Sequence, residues 1–301
     1  MSAPTFLVIG AARSGTTYLT RQLALHPQIL LSDPKEPHFL AFAGERLAFT
    51  GPGDGESINR RAVTDEARWL DLFATADPAV CQRGEGSVST LYFADASVAS
   101  IRRTCPDVRM IALLRDPVER ASSAHQYWTS RGFETETLSR GLDREHERIA
   151  AGYHHIWHYT TMGFYSRQLP AFFDAFGRDR LLVLGYEDFM ADRTAGLDQC
   201  LDFLGIDPWR SPDLNLDVNA GGQPRSRLGA VALRRVRTVE PVRRVVRAVV
   251  PFGVRERVRS ANVRKTDMAE ADRRRLEEVF SDERAALADL LGDDAPGWVR
   301  S

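Results

Sequence analysis

A short apolar run that stops at a glycine-bounded loop and restarts as a helix constrains this chain more than any other feature. Residues 5–9 are β-branched and apolar, Gly10-Ala-Ala-Arg-Ser-Gly15 follows, and residues 16–25 carry helical spacing at Leu19 and Leu23. The pattern predicts strand, loop, helix. It returns at residues 108–114, a buried-strand run that stops at Arg115-Asp-Pro117 and becomes a helix through Trp128. His26-Pro27 ends the first helix, and residues 29–31 and 181–184 read as further strands. Residues 197–204 read as an amphipathic helix closed by Gly205. Strands alternating with helices imply a parallel sheet covered on both faces, so an α/β fold with four or five parallel strands is expected.

Composition narrows the functional classes. The 301 residues are 43% hydrophobic, enough for a sizeable core, and no Gly/Ser- or Pro-rich linker divides them. One domain over 1–301 is expected, with an α/β core in 1–205 and a basic, helical region in 206–301. A formal charge of −1 leaves no chain-wide cationic field, so nucleic acid is not an expected partner. Three cysteines without CxxC spacing suggest neither a disulfide framework nor a zinc site, which fits a reducing compartment. The apolar run 6–9 is too short for a leader or a membrane span, so a cytoplasmic location is expected.

Other segments carry weaker patterns. The glycine-rich stretch 44–59 reads as a mobile surface loop. Residues 163–176 place Tyr165, Leu169, Phe172, Phe173 and Phe176 on one helical face, with a kink or restart at Pro170. Residues 272–291 read as a C-terminal helix ended by Gly292. Between 225 and 265, thirteen Arg and Lys stand against Glu240 and Glu256, a local charge of +11. Valines interleave with the arginines there, as in a basic amphipathic helix pair packed on the core. The alternative is contact with an anionic acceptor or a membrane surface.

The loop 10–15 is where chemistry enters. It offers backbone N–H groups and the positive end of a helix dipole to a phosphate, with Thr16 and Thr17 hydroxyls as further donors. Its glycine spacing is that of a Walker A loop, yet Thr16 stands where that loop has Lys. The strand ending at Arg115 likewise lacks an Asp to hold magnesium. A nucleotide with one 5′-phosphate arm and no metal fits better than ATP. A kinase or NTPase using ATP and magnesium, and a non-catalytic nucleotide-binding protein, remain the alternatives.

Residues 6–19 resemble the 5′-phosphosulfate loop of sulfotransferases that use 3′-phosphoadenosine 5′-phosphosulfate (PAPS). Ile111-Ala-Leu-Leu-Arg115-Asp-Pro-Val-Glu-Arg-Ala-Ser-Ser123 is similar to their 3′-phosphate motif. Smaller marks agree: Lys35-Glu36-Pro-His38-Phe39, Gly84-Glu85-Gly-Ser87, Glu187-Asp188-Phe189 and Phe203-Leu-Gly205. Together they run from residue 5 to about 205, and the pattern around Glu36 is similar to the heparan-sulfate type of carbohydrate sulfotransferase. The resemblance implies a three-layer α/β sandwich of the P-loop nucleotide-kinase type with extra C-terminal helices. It implies sulfuryl transfer from PAPS, without a metal, to a hydroxyl of a carbohydrate, glycolipid or secondary metabolite. By the same resemblance Ala12, Arg13, Ser14, Gly15, Thr16, Thr17 and Tyr18 bind the 5′-phosphosulfate, while Arg115 and Ser123 grip the 3′-phosphate.

Glu36 is then the base, Arg13 stabilises charge on the leaving phosphate, and His38 aligns Glu36 or meets the acceptor. Two departures stand out. Arg13 occupies a position that is Lys in many relatives, and Gly86 replaces the Lys of their Glu-Lys-Ser/Thr motif, so Lys35 is the candidate to supply that cation. Arg225 and Arg227 are expected to close over cofactor or acceptor. His125 is an alternative base, though its helical position beside Trp128 also suggests packing. His154, His155 and His158 have metal-like spacing without an accompanying carboxylate motif and read as structural.

Overall fold

The computed structural model describes residues 3–75, 77–209 and 267–300, together with the backbone of a two-stranded antiparallel pair, Gln223–Pro224 with Val263–Arg264. Five parallel strands form the central sheet: β1 (Phe6–Gly10), β2 (Ile29–Leu31), β3 (Gln82–Glu85), β4 (Arg109–Leu114) and β5 (Leu181–Gly185), in the order β2-β3-β1-β4-β5. The helices are α1 (Thr16–Ala24), α2 (Phe39–Phe42), α3 (Glu66–Asp71), α4 (Ser89–Tyr92), α5 (Ala94–Thr104), α6 (Pro117–Ser130), α7 (Leu138–Asp143), α8 (Glu145–Ala150), α9 (Leu169–Phe176), α10 (Tyr186–Ala191) and α11 (Arg193–Leu204). After the basic stretch come α12 (Glu270–Val279), α13 (Glu283–Leu291) and α14 (Gly297–Arg300).

Strand alternation makes the three layers. Leu7 and Ile9 of β1 join Met110, Ala112 and Leu114 of β4 on one face, against Trp69, Ile101, Tyr165, Phe172 and Leu287. Phe6 and Val8 join Ile111 and Leu113 on the other, against Leu19 and Leu23 of α1 and Leu197, Leu201 and Leu204 of α11. Both central strands are therefore apolar on both sides, as a sheet buried on two faces requires. The register of β1 on β4 shifts between Val8 and Gly10, just where the chain leaves the sheet for the loop. Both expected helix punctuations hold: Asp116 accepts from the Val118 and Glu119 amides with Pro117 in the first turn of α6, and Gly205 closes α11 in the left-handed region.

Strand β3 carried no apolar signal, yet it lies between β2 and β1. Its polar side chains are satisfied individually: Gln82 Nε2 donates to the Leu204 carbonyl at 2.9 Å, and Thr5 Oγ1 donates to Gln82 Oε1 at 2.5 Å. Gly84 leaves room for the Phe6 ring, which a Cβ there would strike. The stretch 44–59 is more tightly held than its glycines suggest. Buried Asp54 accepts from the amides of Gly51 and His154 and from Trp157 Nε1, at 3.0, 2.7 and 3.1 Å, because no water reaches that carboxylate. The expected helix 272–291 is two helices, broken where buried Phe280 turns into the core. Pro170 sits in the first turn of α9, a restart after two short 3-10 turns. α12 and α13 are both tied to α6 and its cap: Arg273 to Glu119 at 2.7 Å and Arg284 to Asp116 at 2.9 Å. Among the described residues no helix is long and apolar enough to cross a membrane.

Candidate active site

The loop between β1 and α1 is pinned to the sheet by the Ala11 amide, which donates to the Leu113 carbonyl at 2.8 Å. Arg13 and Gly15 both take positive φ, 69° and 84°, turning the chain sharply into α1. A side chain at Gly15 would meet the Tyr186 ring at 2.9 Å, so glycine suits both the conformation and the close approach. No side chain caps α1, which leaves its first amides directed out of the helix end. That is the arrangement that holds an anionic phosphate. Ser14 and Thr16 are buried, Thr17 is half-buried, and Ala12 packs with Val88 and Met162. The Tyr18 ring packs edge-on to Phe189, 6.1 Å between centres, in the layer between α1 and the sheet.

Three cations and a carboxylate converge on this loop. Arg13 Nε donates to Ser123 Oγ at 3.3 Å, joining the loop to α6, and its guanidinium lies 4.5 Å from the Tyr127 ring centre. Arg115 Nη1 donates to the Arg13 carbonyl at 3.2 Å. Its carboxylate neighbours, Glu119 and Glu187, stand at 3.8 and 3.9 Å, too far for hydrogen bonds. Arg115 Nε is buried and has no hydrogen-bond partner among the described residues. Lys35 Nζ reaches both sides of the site, 3.3 Å from Thr16 Oγ1 and 2.6 Å from Glu36 Oε1.

Glu36 sits where burial opposes ionisation, but Lys35, His38 and Arg13 together outweigh that and hold its carboxyl below the usual 4.5. His38 Nε2 stands 3.8 Å from Glu36 Oε2. Burial lowers the imidazole below 6.5 against the pull of Glu36, so His38 is neutral at physiological pH. A Cβ at Gly86 would lie 2.7 Å from Thr20 Cγ2 and 2.9 Å from Lys35 Cε. The Lys35 stem therefore occupies the space over residue 86, and its ammonium stands beside the position where the resemblance expects the missing cation.

Other candidates lie elsewhere. His125 is engaged with the Glu136 carbonyl at 3.0 Å and the Tyr159 ring. His158 is held between Tyr92 Oη at 2.8 Å and the Tyr153 carbonyl at 3.1 Å. His154 and His155 are buried beside His38, ring centres 6.5 and 6.1 Å away, and burial drives both well below 6.5. Among the described residues no group of His, Cys, Asp and Glu is arranged to hold a metal ion. Arg225, Arg227 and the basic stretch 225–265 fall outside the described residues, apart from the backbone strand at 263–264.

Sequence reasoning passed over three groups. Glu85 is buried, accepts from Ser87 Oγ and from Trp69 Nε1 at 3.3 Å, and is pushed up to about 7 by burial. Tyr186 lies under Arg115, 4.9 Å from guanidinium to ring centre. Arg120 is wholly buried, with Nη2 donating to the Tyr159 carbonyl and Nε and Nη1 lacking partners among the described residues. Glu85 and Arg120 both lie inside motifs that the sequence displays, which was the available signal.

Fold and site together define a P-loop-like α/β protein in which one lysine joins the loop after β1 to a carboxylate. Residues 4–211 match the sulfotransferase family, and the chain belongs to it. It is 26% identical over 260 residues to carbohydrate sulfotransferase 15 of Homo sapiens, covering 68% of this chain and 44% of that protein. It is 24% identical over 213 residues to bifunctional heparan sulfate N-deacetylase/N-sulfotransferase 3 of Mus musculus, covering 68% of this chain and 22% of that protein. The chain thus spans less than half the length of these relatives. The crystal structure of a sulfotransferase from Alicyclobacillus acidocaldarius superposes with a TM-score of 0.74 at 27% identity, covering 96% of both chains.

Proposed function

We propose that this chain moves a sulfuryl group from PAPS to a hydroxyl of an acceptor, with Glu36 as the base. The observation that carries the reading is Lys35, whose ammonium stands 2.6 Å from Glu36 and 3.3 Å from the phosphate-loop Thr16 and so joins the two halves of the chemistry. Family membership and the likeness to carbohydrate sulfotransferases support it.

The uncapped start of α1 and the loop amides fit a 5′-phosphate, while Arg115 and Ser123 fit a 3′-phosphate. When bound, PAPS supplies an activated sulfuryl group, whose bond to the 5′-phosphate oxygen breaks as the acceptor oxygen bonds to sulfur. Glu36 takes the proton of the acceptor hydroxyl. Its depressed pKa keeps it ionised at neutral pH and suits removal of the proton in concert with attack rather than before it. Lys35 and Arg13 offset the negative charge that gathers between the loop and Glu36. Arg13 cannot donate a proton at neutral pH, so its part is electrostatic and positional. The acceptor class we favour is a carbohydrate, with glycolipids and hydroxylated secondary metabolites as the wider set. We also propose that 1–301 folds as a single domain, since α12 and α13 are tied to α6 and Glu283 accepts from Ser166 N and Oγ at 2.8 and 2.7 Å.

The test is Glu36→Gln assayed with labelled PAPS and a panel of hydroxyl acceptors. Turnover should fall about a hundredfold or more, with affinity for adenosine 3′,5′-bisphosphate nearly unchanged. Full activity in the variant removes Glu36 from the mechanism.

A further inference from the structure

The segment that presents Glu36 contains a strained residue. His38 has φ 62°, in the left-handed region that a residue with a side chain enters only at an energetic cost. Such a conformation persists only where its surroundings impose it. Here the tip of β3 does so. The Gly86 amide donates to the Lys35 carbonyl at 2.9 Å, the His38 amide donates to Ser87 Oγ at 2.9 Å, and Ser89 Oγ stands 2.8 Å from His38 Nδ1. Ser87 is itself aligned, because its hydroxyl donates to Glu85 while its oxygen receives the His38 amide. Glu85, Ser87 and Ser89 are at most 1% exposed, so water does not compete for these bonds.

The same contacts select a tautomer. His38 Nε2 faces Glu36 Oε2 at 3.8 Å. A ring lone pair there would be repelled by the carboxylate, whereas an N–H dipole is attracted. The proton therefore belongs on Nε2, and Nδ1 accepts from the Ser89 hydroxyl. Lys35 holds Oε1 of the same carboxylate at 2.6 Å, so the two oxygens have different partners.

We propose that Ser87 and Ser89 are positioning residues for the base: Ser87 clamps the left-handed turn and Ser89 donates to Nδ1 and so supports the Nε2–H tautomer that Glu36 favours, with His38 thereby orienting the Glu36 carboxylate. Neither touches the reacting atoms. The proposal rests on the reading of Glu36 as base, and its test separates the two.

The first measurement needs no variant. In protein labelled with 15N-histidine, long-range 1H–15N spectra, with His38 assigned by its loss in His38→Gln, should show the Nε2–H tautomer. An Nδ1–H tautomer overturns the proposal whatever the activity. Ser89→Ala should mix the tautomers of His38, and a spectrum unchanged from wild type also overturns it. In the transfer assay Ser87→Ala should lower kcat by about tenfold or more while leaving affinity for the bisphosphate in place, and Ser87→Thr, which keeps the hydroxyl, should recover most of the rate. Equal kcat in Ser87→Ala and wild type contradicts the clamp. Absence of transfer by the wild-type chain to every acceptor sinks the Glu36 reading, and the tautomer result still decides the geometry.

Discussion

At the scale of single residues, the site opposes two carboxylates within one polar cluster. Glu36 is held below 4.5 by three cationic or imidazole neighbours, whereas Glu85, hydrogen-bonded to Ser87 and Trp69, is raised to about 7 by burial. A raised carboxyl makes the folded chain hold a proton between pH 4.5 and about 7 that the unfolded chain has released. The stability this contributes is fully present below the unfolded value and is lost as pH rises through the folded one. The total is on the order of 3 kcal/mol. Glu85→Gln removes the dependence, so in urea melts the variant should gain on wild type as pH rises from 5 through about 7 and level off by pH 8. A difference between the two that stays constant over that range contradicts the account of Glu85.

At the scale of elements, what was legible depended on whether a segment's partners lie in the same motif. β1, its loop and α1 read correctly because apolar strand, glycines and helical spacing are contiguous, and β4 with α6 did so for the same reason. Arg13, Lys35, Glu36, Arg115 and Ser123 could be nominated because each stands within such a motif, and the structure brings their charged and hydroxyl groups to one loop. β3 was invisible because its stability comes from Thr5, Leu204 and Phe6, far away in sequence, rather than from its own hydrophobicity. The role of Ser87 and Ser89 was hidden likewise, since their partner His38 is 49 and 51 residues earlier. The packing of β3 on β1 makes Gly84 a sensitive point. Gly84→Ala drives a Cβ into the Phe6 ring, which is wholly buried and cannot swing away. The expected loss is about 1–3 kcal/mol in urea unfolding, with the m value unchanged. A variant as stable as wild type would mean that the sheet relaxes there freely.

At the scale of the whole molecule, the sheet delivers two helix starts to the same edge. The strand tips of β1 and β4 lie side by side, so α1 presents open amides beside Arg115, which stands just before α6, and Ser123, in the second turn of α6, comes round to Arg13. On the function proposed above, a ligand with a phosphate at each end of one nucleoside would span that edge, whereas one with a single phosphate arm would engage half of it. The C-terminal helices brace the second half through Arg273 and Arg284 on the first turn of α6. The central claim is therefore a preference for the doubly phosphorylated nucleoside, and the most direct measurement is a thermal-shift titration. Adenosine 3′,5′-bisphosphate should stabilise the chain, by about 2.7 kcal/mol at 100 times its Kd, and adenosine 5′-phosphate should do so only at much higher concentration. Arg115→Ala should narrow that gap. Stabilisation by ADP with magnesium, and none by the bisphosphate, would contradict the account and point to a kinase or NTPase instead.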